Sequence, residues 1–194
     1  LARDSASRNV GADIGKLFGE AIAKKVDTDL AGLLDDFASA NDQGGAGTEL
    51  TADLLFKAQA ILRSANVPAP YYAVFHPKAT FNLKKTLTQP AYTTSSSGYA
   101  ISEIGNEALR NGYIGRIAGI DIFENANISI DAYDDSFGGV FHPQSLGLAL
   151  KEDFKVETQR DASLRATEIV ASIVYGKAVV KESFGVAVTT DAAF

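Results

Sequence analysis

The chain has 194 residues, of which 46% are hydrophobic and 22% charged, and a formal net charge of −6. This composition is typical of one globular domain or two small ones, and it excludes a disordered or fibrous chain. Cysteine is absent, which excludes disulfide scaffolds, zinc–thiolate centres, iron–sulfur clusters and cysteine nucleophiles.

The acidic charge balance argues against sequence-specific DNA binding, which requires a basic surface. No apolar run reaches the ~18 residues that a membrane-spanning helix needs, so we expect no membrane partner. Methionine is absent and the first residue is Leu1. We therefore expect that residues upstream were cleaved, disordered or omitted, and the first seven residues lack the apolar core of a signal peptide.

A long amphipathic helix is predicted from about Ser7 to Ala38. No proline interrupts this segment, and apolar residues recur at steps of three and four, as expected for one buried helix face. At ~1.5 Å per residue, roughly 30 residues form a rod on the order of 45 Å long. Such a rod either braces an extended molecule or packs against another chain.

Three glycines form one ridge on this helix, at Gly11, Gly15 and Gly19. Each costs about 1 kcal/mol relative to alanine in a helix. The ridge therefore indicates either close approach of another backbone or a locally weak helix start, and the sequence leaves both interpretations open.

The charge of the helix is also polarised. Arg3 to Lys25 carries five basic and three acidic residues, whereas the stretch from Val26 to Asp42 has no basic residue. Acidic side chains near a helix C-terminus oppose the helix dipole, so either a neighbour supplies Lys or Arg or this end is solvated. The acidic residues are Asp27, Asp29, Asp35, Asp36 and Asp42.

A second helix is predicted after the glycine-rich break at residues 41–47. Thr51 is a suitable N-cap, and the helix extends to about Ala65, where Asn66 and two prolines end it. Its expected buried face consists of Leu54, Leu55, Ala58, Ile61 and Leu62.

Shorter elements follow in the middle of the chain. We predict a strand at 71–75 and a helix from Pro77 to Leu87, then a polar loop at 89–98 and a short helix at 102–110. Residues 113–124 indicate one bent strand or two short ones, because Gly115 and Gly119 interrupt them. After an acidic loop at 125–136, we expect a strand at 140–141 and a short helix started by His142-Pro143.

The C-terminal segment is predicted to be extended. Residues 154–158 and 169–175 indicate strands, although a helix also fits the length of the second run, and Gly176 is expected to break it. Extended residues continue at 178–180 and 184–188. The mixture of helices and short strands predicts an α+β fold.

The sequence contains few residues that could form a chemical site. His76 and His142, the only histidines, both follow a Val-Phe pair and precede a proline, but two ligands without HExxH or HxH spacing do not predict a metal site. We interpret them as helix-capping or core-edge residues. The acidic residues Asp131, Asp134 and Asp135 could bind calcium weakly, yet they lack EF-hand periodicity.

Nucleotide and hydrolase motifs are missing as well. The segment 11–16 (GADIGK) is one residue short of a phosphate-binding loop and lacks its Ser or Thr, and no G-x-S-x-G sequence occurs. We therefore expect no catalytic residues and no cofactor, a pattern that favours a structural or assembly protein over an enzyme.

Three segments carry a resemblance to a known family. They are the helix containing GKLFGEAIAKKVDTDLAGLL, the run LLFKAQAILRSANVPAPYYAVFHPKATFNL, and the C-terminal run RDASLRATEIVASIVYGKAVVKESFGVAV, in which Tyr175-Gly176 looks like a turn between two apolar strands. The stretch RIAGIDIF at 116–123 is similar to a further strand. In order and spacing these elements resemble the major capsid proteins of tailed bacteriophages, which have the Hong Kong 97-like fold.

The resemblance implies a wedge-shaped subunit built around a spine helix. A peripheral domain would comprise residues 1–49 and 151–194, and an axial domain residues 50–150. The family's N-terminal arm and extended loop are not found in this sequence, so the resemblance does not extend to the family's covalent cross-linking.

The resemblance also implies a function and partners. The chain would assemble with copies of itself as hexamers and pentamers, with portal and scaffold proteins, into the virion shell around double-stranded DNA, in the bacterial host cytoplasm. We expect subunit interfaces at the glycine ridge (Gly11, Gly15, Gly19) and at the acidic end (Asp27, Asp29, Asp35, Asp36).

Two alternatives stay open at this point. One is the shell of an encapsulin-like nanocompartment, which would share the fold and enclose cargo protein. The other is an α+β enzyme or binding domain that uses the loops near His76, His142 and Asp134.

Overall fold

A computed structural model describes residues 10–88 and 115–193 of the chain. The predicted loop at 89–98, the predicted helix at 102–110 and the first nine residues lie outside the described residues. The helices are α1 (Val10–Ala31), α2 (Ala52–Ser64) and α3 (Pro77–Thr88), and short 3₁₀ turns occupy Ser39–Asn41 and Glu182–Phe184. The strands are β1 (Gln43–Gly44), β2 (Tyr71–Phe75), β3 (Arg116–Ile117), β4 (Ile120–Glu124), β5 (Asp135–Phe141), β6 (Leu146–Asp161), β7 (Ala166–Val179) and β8 (Gly185–Asp191).

A six-stranded mixed sheet has the order β1-β8-β5-β2-β4-β3. At its centre, β2 pairs parallel with β4 and antiparallel with β5, and β5 pairs antiparallel with β8. The main core is built by α2, α3 and one face of this sheet, and its buried residues include Leu55, Leu62, Phe75, Leu83, Ile120, Val140 and Val186. This core confirms the α+β prediction.

Local signals at α2 and α3 are confirmed. The Thr51 hydroxyl accepts a hydrogen bond from the Leu54 amide at 3.5 Å, which caps the first turn of α2. Asn66 has a φ of 55° just after α2. The predicted face of α2 is buried except for Ile61, which is partly buried.

Of the two possibilities predicted for residues 113–124, the structure has two short strands, β3 and β4, and not one bent strand. Ala118 and Gly119 both have positive φ and form the turn between β3 and β4. Glycine avoids the steric cost of this conformation at the second position.

The predicted C-terminal end of α1 is wrong, because α1 stops at Ala31 rather than Ala38. The amide of Gly32 makes the last i→i−4 bond, to Thr28, and the next residues form tighter turns. In these turns Leu34 and Phe37 are buried against the other face of the six-stranded sheet. A Cβ at Gly185 would lie 2.3 Å from the Phe37 ring. The spacing of apolar residues therefore reflects burial in turns rather than a continuing helix.

The short helix predicted after His142-Pro143 is also wrong. A turn closed by the bond from the Ser145 amide to the His142 carbonyl occupies this position, and β6 begins at Leu146. Leu146, Leu148 and Leu150 after Pro143 alternate as in a strand and lie in β6, whereas Ala79 and Leu83 after Pro77 lie on the buried face of a helix.

Strands β6 and β7 form a separate two-stranded sheet, which we call the hairpin. At ~3.3 Å per residue it is about 45 Å long. The predicted strands at 154–158 and 169–175 lie within it. The predicted break at Gly176, and with it the turn at Tyr175-Gly176, is wrong because β7 continues through the pair Ala149 and Gly176. The hairpin turn lies instead between Asp161 and Ala166.

None of the helices in the described ranges combines the length and the apolar character needed to cross a membrane.

Candidate functional site

The two histidines do not converge on a common site. Since β2 and β5 are antiparallel, His76 after β2 and His142 after β5 lie at opposite ends of the strand pair. Asp134 precedes β5 and is also at the other end from His142. The enzyme alternative placed these three residues near one site, and the structure does not bring them together.

Each histidine has a local structural role. The Nδ1 atom of His76 accepts a hydrogen bond from the Lys78 amide at 3.2 Å, at the start of α3, so this histidine caps the helix as predicted. Burial, and then the charge of Lys78, lower the pKa of His76. His142 accepts in the same way from the Gln144 amide at 3.1 Å, and its buried ring packs edge-on against Phe184.

The acidic loop before β5 uses its carboxylates to accept backbone hydrogen bonds. Asp131 accepts from the amides of Tyr133 and Asp135 at 2.8 and 2.9 Å, and Asp135 accepts from the amide of Gly47 at 2.9 Å. Over residues 10–88 and 115–193, no group of three or more His, Asp or Glu residues could hold a metal ion.

Asp29 joins α1 to the hairpin. Its carboxylate accepts a hydrogen bond from the Tyr175 hydroxyl at 2.6 Å, and its Oδ1 lies 2.9 Å from the Lys25 ammonium and 3.5 Å from that of Lys177. Lys177 also donates to the Asp29 backbone carbonyl at 2.5 Å. The basic neighbour of this acidic residue is therefore supplied in part by the chain's own hairpin.

These contacts strongly change the pKa of Asp29. The hydrogen bond from Tyr175, followed by the one from Lys25, lowers the pKa of Asp29 to about 2. The hydrogen bond between Tyr175 and Asp29 also raises the pKa of Tyr175 above its usual value of 10. The hydrogen bond between the two side chains therefore favours the charged form of Asp29 and the neutral form of Tyr175.

Asp27 is held by amides instead of cations. Its Oδ2 accepts from the side-chain amides of Asn125 and Asn127 at 2.8 and 2.6 Å, which ties α1 to the loop after β4. Asp35 and Asp36 are exposed on the turns after α1. Burial, and then the charges of Asp42 and Asp36, raise the pKa of Asp35.

The glycine ridge is open within the described part of the chain. A Cβ on Gly15 or Gly19 would meet nothing within 4 Å, and Gly11 lies in the first turn of α1. No backbone of the described residues therefore approaches Gly15 or Gly19 closely. Their use as a subunit interface stays a prediction.

The hairpin has one apolar face, which is turned toward α1. Residues directly opposite in an antiparallel pair share a face, and Tyr175 and Lys177, which contact Asp29, pair with Leu150 and Leu148. Farther along the same face, Val156 pairs with Ala171, and Phe154 and Ile173 line a groove against α1.

Only part of this face is covered. The β7 residues on it (Ile169, Ala171, Ile173, Tyr175) are half-buried. The β6 residues are more exposed and form what we call the β6 row: Leu148 (51% exposed), Leu150 (54%), Phe154 (41%) and Val156 (47%). An apolar row of this kind is typical of a surface that another polypeptide covers.

The hairpin also has open edges. Across the described ranges, β6 and β7 pair only with each other, and a two-stranded sheet is at best marginally stable alone in water. Unpaired strand edges are sites for pairing with further chain segments. Together with the β6 row, these edges form the candidate functional site.

The β6 row is not evident from the sequence pattern. Leu146, Leu148 and Leu150 alternate as in a strand, but the charged run Lys151 to Asp153 interrupts the pattern, and only 154–158 was predicted as extended. Extending the alternation across that run is the signal that would have identified the row.

Comparison with a family model described as phage capsid protein gives a match over residues 1–189. Among curated protein sequences, none matches this chain.

Several solved structures share the fold. A chain of Mycobacterium phage Che8 is 27% identical, with a TM-score of 0.69 over 96% of this chain and 65% of that one. The capsid of the cyanophage P-SCSP1u is 17% identical, with a TM-score of 0.72 over 99% of this chain and 69% of that one. The SrpI encapsulin of Synechococcus elongatus PCC 7942 is 13% identical, with a TM-score of 0.69 over 98% and 69%. The present chain thus spans 65% of the Che8 chain, just under two thirds.

Proposed function

This chain belongs to the phage capsid protein family, and on that premise we propose that it is the major shell protein of a tailed bacteriophage. In this role many copies assemble as hexamers and pentamers into an icosahedral shell that encloses double-stranded DNA. The observation that carries the proposal is the family match, which extends over residues 1–189. The similarity in fold to the P-SCSP1u capsid supports it.

The hairpin gives a physical reason for self-assembly. An isolated subunit leaves the β6 row and the edges of a two-stranded sheet in water. Packing copies against one another would remove this apolar surface from water at a gain of roughly 25 cal/mol per Å². A closed shell repeats the same contact many times, so a modest gain per contact is sufficient.

The proposed role is structural and includes no catalysis. The histidines of the described residues accept backbone hydrogen bonds. Asp29 accepts a hydrogen bond from the Tyr175 hydroxyl, and Asp27 accepts one from the Asn125 amide. These side chains hold the fold together, which supports a role without a cofactor.

We further propose that the subunit divides into a peripheral domain (1–49 and 151–194) and an axial domain (50–150). The contacts of Asp29 with Tyr175 and Lys177 link the two outer ranges, which supports this division. In the six-stranded sheet, β8 lies beside β5 and β1 lies on the other side of β8, so the two proposed domains share that sheet.

Partners and location follow from the proposed role. Portal and scaffold proteins would direct assembly in the bacterial host cytoplasm, and the packaged DNA would be enclosed without sequence-specific contacts. The net charge of −6 would limit adhesion of the shell to DNA phosphates.

A compartment shell is the second candidate, because the SrpI encapsulin has a similar fold. The two functions differ in what the particle contains. A phage shell encloses nuclease-protected DNA, whereas an encapsulin-like shell encloses cargo protein.

Negative-stain electron microscopy of the purified protein, together with its mass from light scattering, tests the proposal. We expect uniform icosahedral particles or capsomers, and nuclease-protected DNA in particles from an infection. Particles with stoichiometric cargo protein and no DNA would favour the compartment. A monomer that no salt, crowding agent or scaffold protein drives to assemble would contradict both shell functions.

A further inference from the structure

The hairpin consists of two regular segments joined by an irregular junction. Pairing is regular from Leu146 and Val179 to Leu150 and Tyr175, which we call the proximal segment. It is regular again from Lys155 and Ser172 to the tip, which we call the distal segment. Between them, β6 advances from 150 to 155 while β7 advances only from 175 to 172, with two register shifts. Such bulges bend a strand and increase its twist.

The proximal segment is attached firmly to the rest of the subunit. Leu146 and Val179 pack against the small core cluster that contains Leu34 and Phe37. The Val180 amide, just after β7, donates to the Ser145 carbonyl at 2.7 Å. The base of the hairpin is therefore held by both packing and hydrogen bonding.

Asp29 contacts the hairpin at the level of the junction. Its partner Tyr175 pairs with Leu150 at the end of the proximal segment, directly before the first register shift. Lys177 binds Asp29 through both the carboxylate and the backbone carbonyl. We call Asp29, Tyr175 and Lys177 the clamp. Among the described residues, all hydrogen bonds between α1 and the hairpin involve Asp29.

Beyond the clamp, α1 and the hairpin are loosely packed. An open groove of about 480 Å³ lies between them, lined on one side by Gly19, Ile22 and Val26 and on the other by Phe154 and Ile173. No hydrogen bond or ion pair of the described residues connects the distal segment to α1. Phe154 and Ile173 belong to the junction, so the gap lies at the junction and leaves room for the hairpin to bend there toward or away from the helix.

We propose that the bulged junction is a hinge and that the clamp sets the angle between the distal hairpin and α1. This inference rests on the proposed function, because subunits in hexamers and pentamers meet at different angles and the hinge would let one chain adapt to both. Tyr175 and Asp29 are positioning residues in this scheme, since they act on assembly through the hairpin that they orient.

The test compares Tyr175→Phe with a matched control, Tyr133→Phe. Tyr175→Phe removes the hydroxyl that donates to Asp29 and keeps the ring, whereas Tyr133 is 85% exposed. Hydrogen exchange measured by mass spectrometry on unassembled subunits should show roughly two- to tenfold faster exchange at residues 150–172 in Tyr175→Phe, as expected for the loss of one hydrogen bond. Exchange in α2 should be unchanged, and Tyr133→Phe should behave as the unmodified chain.

A second variant changes the hinge in the opposite direction. Gly176 lies beside the junction, and a Cβ there would meet nothing within 4 Å. Gly176→Ala should therefore slow exchange at the junction, because alanine has fewer backbone conformations than glycine. This variant decides the question if Tyr175→Phe does not fold.

Particle size separates the hinge from the proposed function. If shells form, Tyr175→Phe should broaden the distribution of particle diameters and Gly176→Ala should narrow it. Equal exchange at residues 150–172 in all variants would overturn the hinge even if shells form normally. Altered exchange in a chain that never assembles would support the hinge and contradict the shell function.

Discussion

Asp29 shows how a single carboxylate can connect two elements that are distant in sequence. It lies on α1, and the Tyr175 hydroxyl that it accepts from is 146 residues away. The groups that face it are Lys25 from its own helix and Tyr175 and Lys177 from β7. All of them favour the ionised carboxylate over the protonated one.

These contacts predict how stability depends on pH. The pKa of Asp29 falls from 3.8 to about 2 on folding. A lowered pKa contributes stability that is complete above the unfolded value and is lost as pH falls through the folded value. The unmodified chain should therefore be more stable than Asp29→Asn at pH 7, and the difference should disappear between about pH 4 and pH 2.

Chemical denaturation at a series of pH values measures this difference. Glu20→Gln is the matched control, because Glu20 is an exposed acidic residue in the middle of the same helix. At the alkaline end, the raised pKa of Tyr175 predicts a further loss of the contact, but only above pH 10. A difference between Asp29→Asn and the unmodified chain that stays constant from pH 7 to pH 2 would contradict the assigned contacts.

The identity of such partners could not be predicted from the sequence. The run of acidic residues at the end of α1 left open whether a neighbour supplies a cation or this end is solvated, and Lys177 supplies a cation to Asp29. However, nothing in the residues near Asp29 indicates which strand lies against it. Asp27 is a sharper case, because its neighbours are two asparagine amides, which no charge pattern reveals.

At the scale of elements, prediction succeeded where local chemistry determines the structure. The Thr51 cap, the proline at the start of α3 and the positive φ at Asn66 depend on neighbouring residues, and α2, α3 and β2 were predicted within a residue or two of their observed ends. These elements are also the ones whose buried faces build the main core.

Prediction failed where tertiary contacts or an irregular backbone determine the secondary structure. Leu34 and Phe37 have helical spacing but are buried in turns, because the sheet glycines Gly139 and Gly185 admit them closely. In β6 the charged run at 151–153 coincides with the register shifts, which interrupt the alternation on which strand prediction depends. Gly176 does not end β7, since its pairing with Ala149 is retained.

The glycine ridge on α1 gives a prediction at this scale. Replacing Gly15 and Gly19 by alanine should stabilise the isolated subunit by up to about 1 kcal/mol per site, because alanine is the better helix former and the added methyl groups meet nothing within 4 Å. If another copy packs against the ridge, the same variants should assemble more slowly or not at all.

Thermal denaturation of the subunit and light scattering of the assembly reaction measure these two effects separately. Ala21→Ser, at another exposed position of α1, is the control for a change elsewhere on the helix. Variants that are more stable and that also assemble at the normal rate would show that the ridge is not an interface.

At the scale of the whole molecule, the subunit divides its apolar surface unevenly. The helices and the six-stranded sheet enclose a continuous core, whereas the hairpin extends about 45 Å with its apolar face only half covered. An arrangement of this kind is costly for a monomer and useful for a protein that is covered by copies of itself. The apolar surface that the subunit leaves uncovered therefore lies mainly on the hairpin.

The two faces of the hairpin allow a matched test of this argument. Val156 belongs to the β6 row on the face turned toward α1, whereas Val170 pairs with Glu157 on the opposite face, and the two valines are 47% and 48% exposed. Val156→Thr and Val170→Thr make the same chemical change at equal exposure. Threonine is also β-branched, so both variants should keep the strand conformation.

Only the face that neighbouring copies cover should respond in assembly. We expect Val156→Thr to raise the protein concentration needed for shell formation, because it places a hydroxyl in an apolar contact, and Val170→Thr to leave that concentration unchanged. Light scattering against protein concentration measures it, and denaturation of the unassembled subunit verifies that both variants are equally stable. An equal effect of the two variants, or a larger one at Val170, would show that the assembly contact lies on the opposite face of the hairpin from the β6 row.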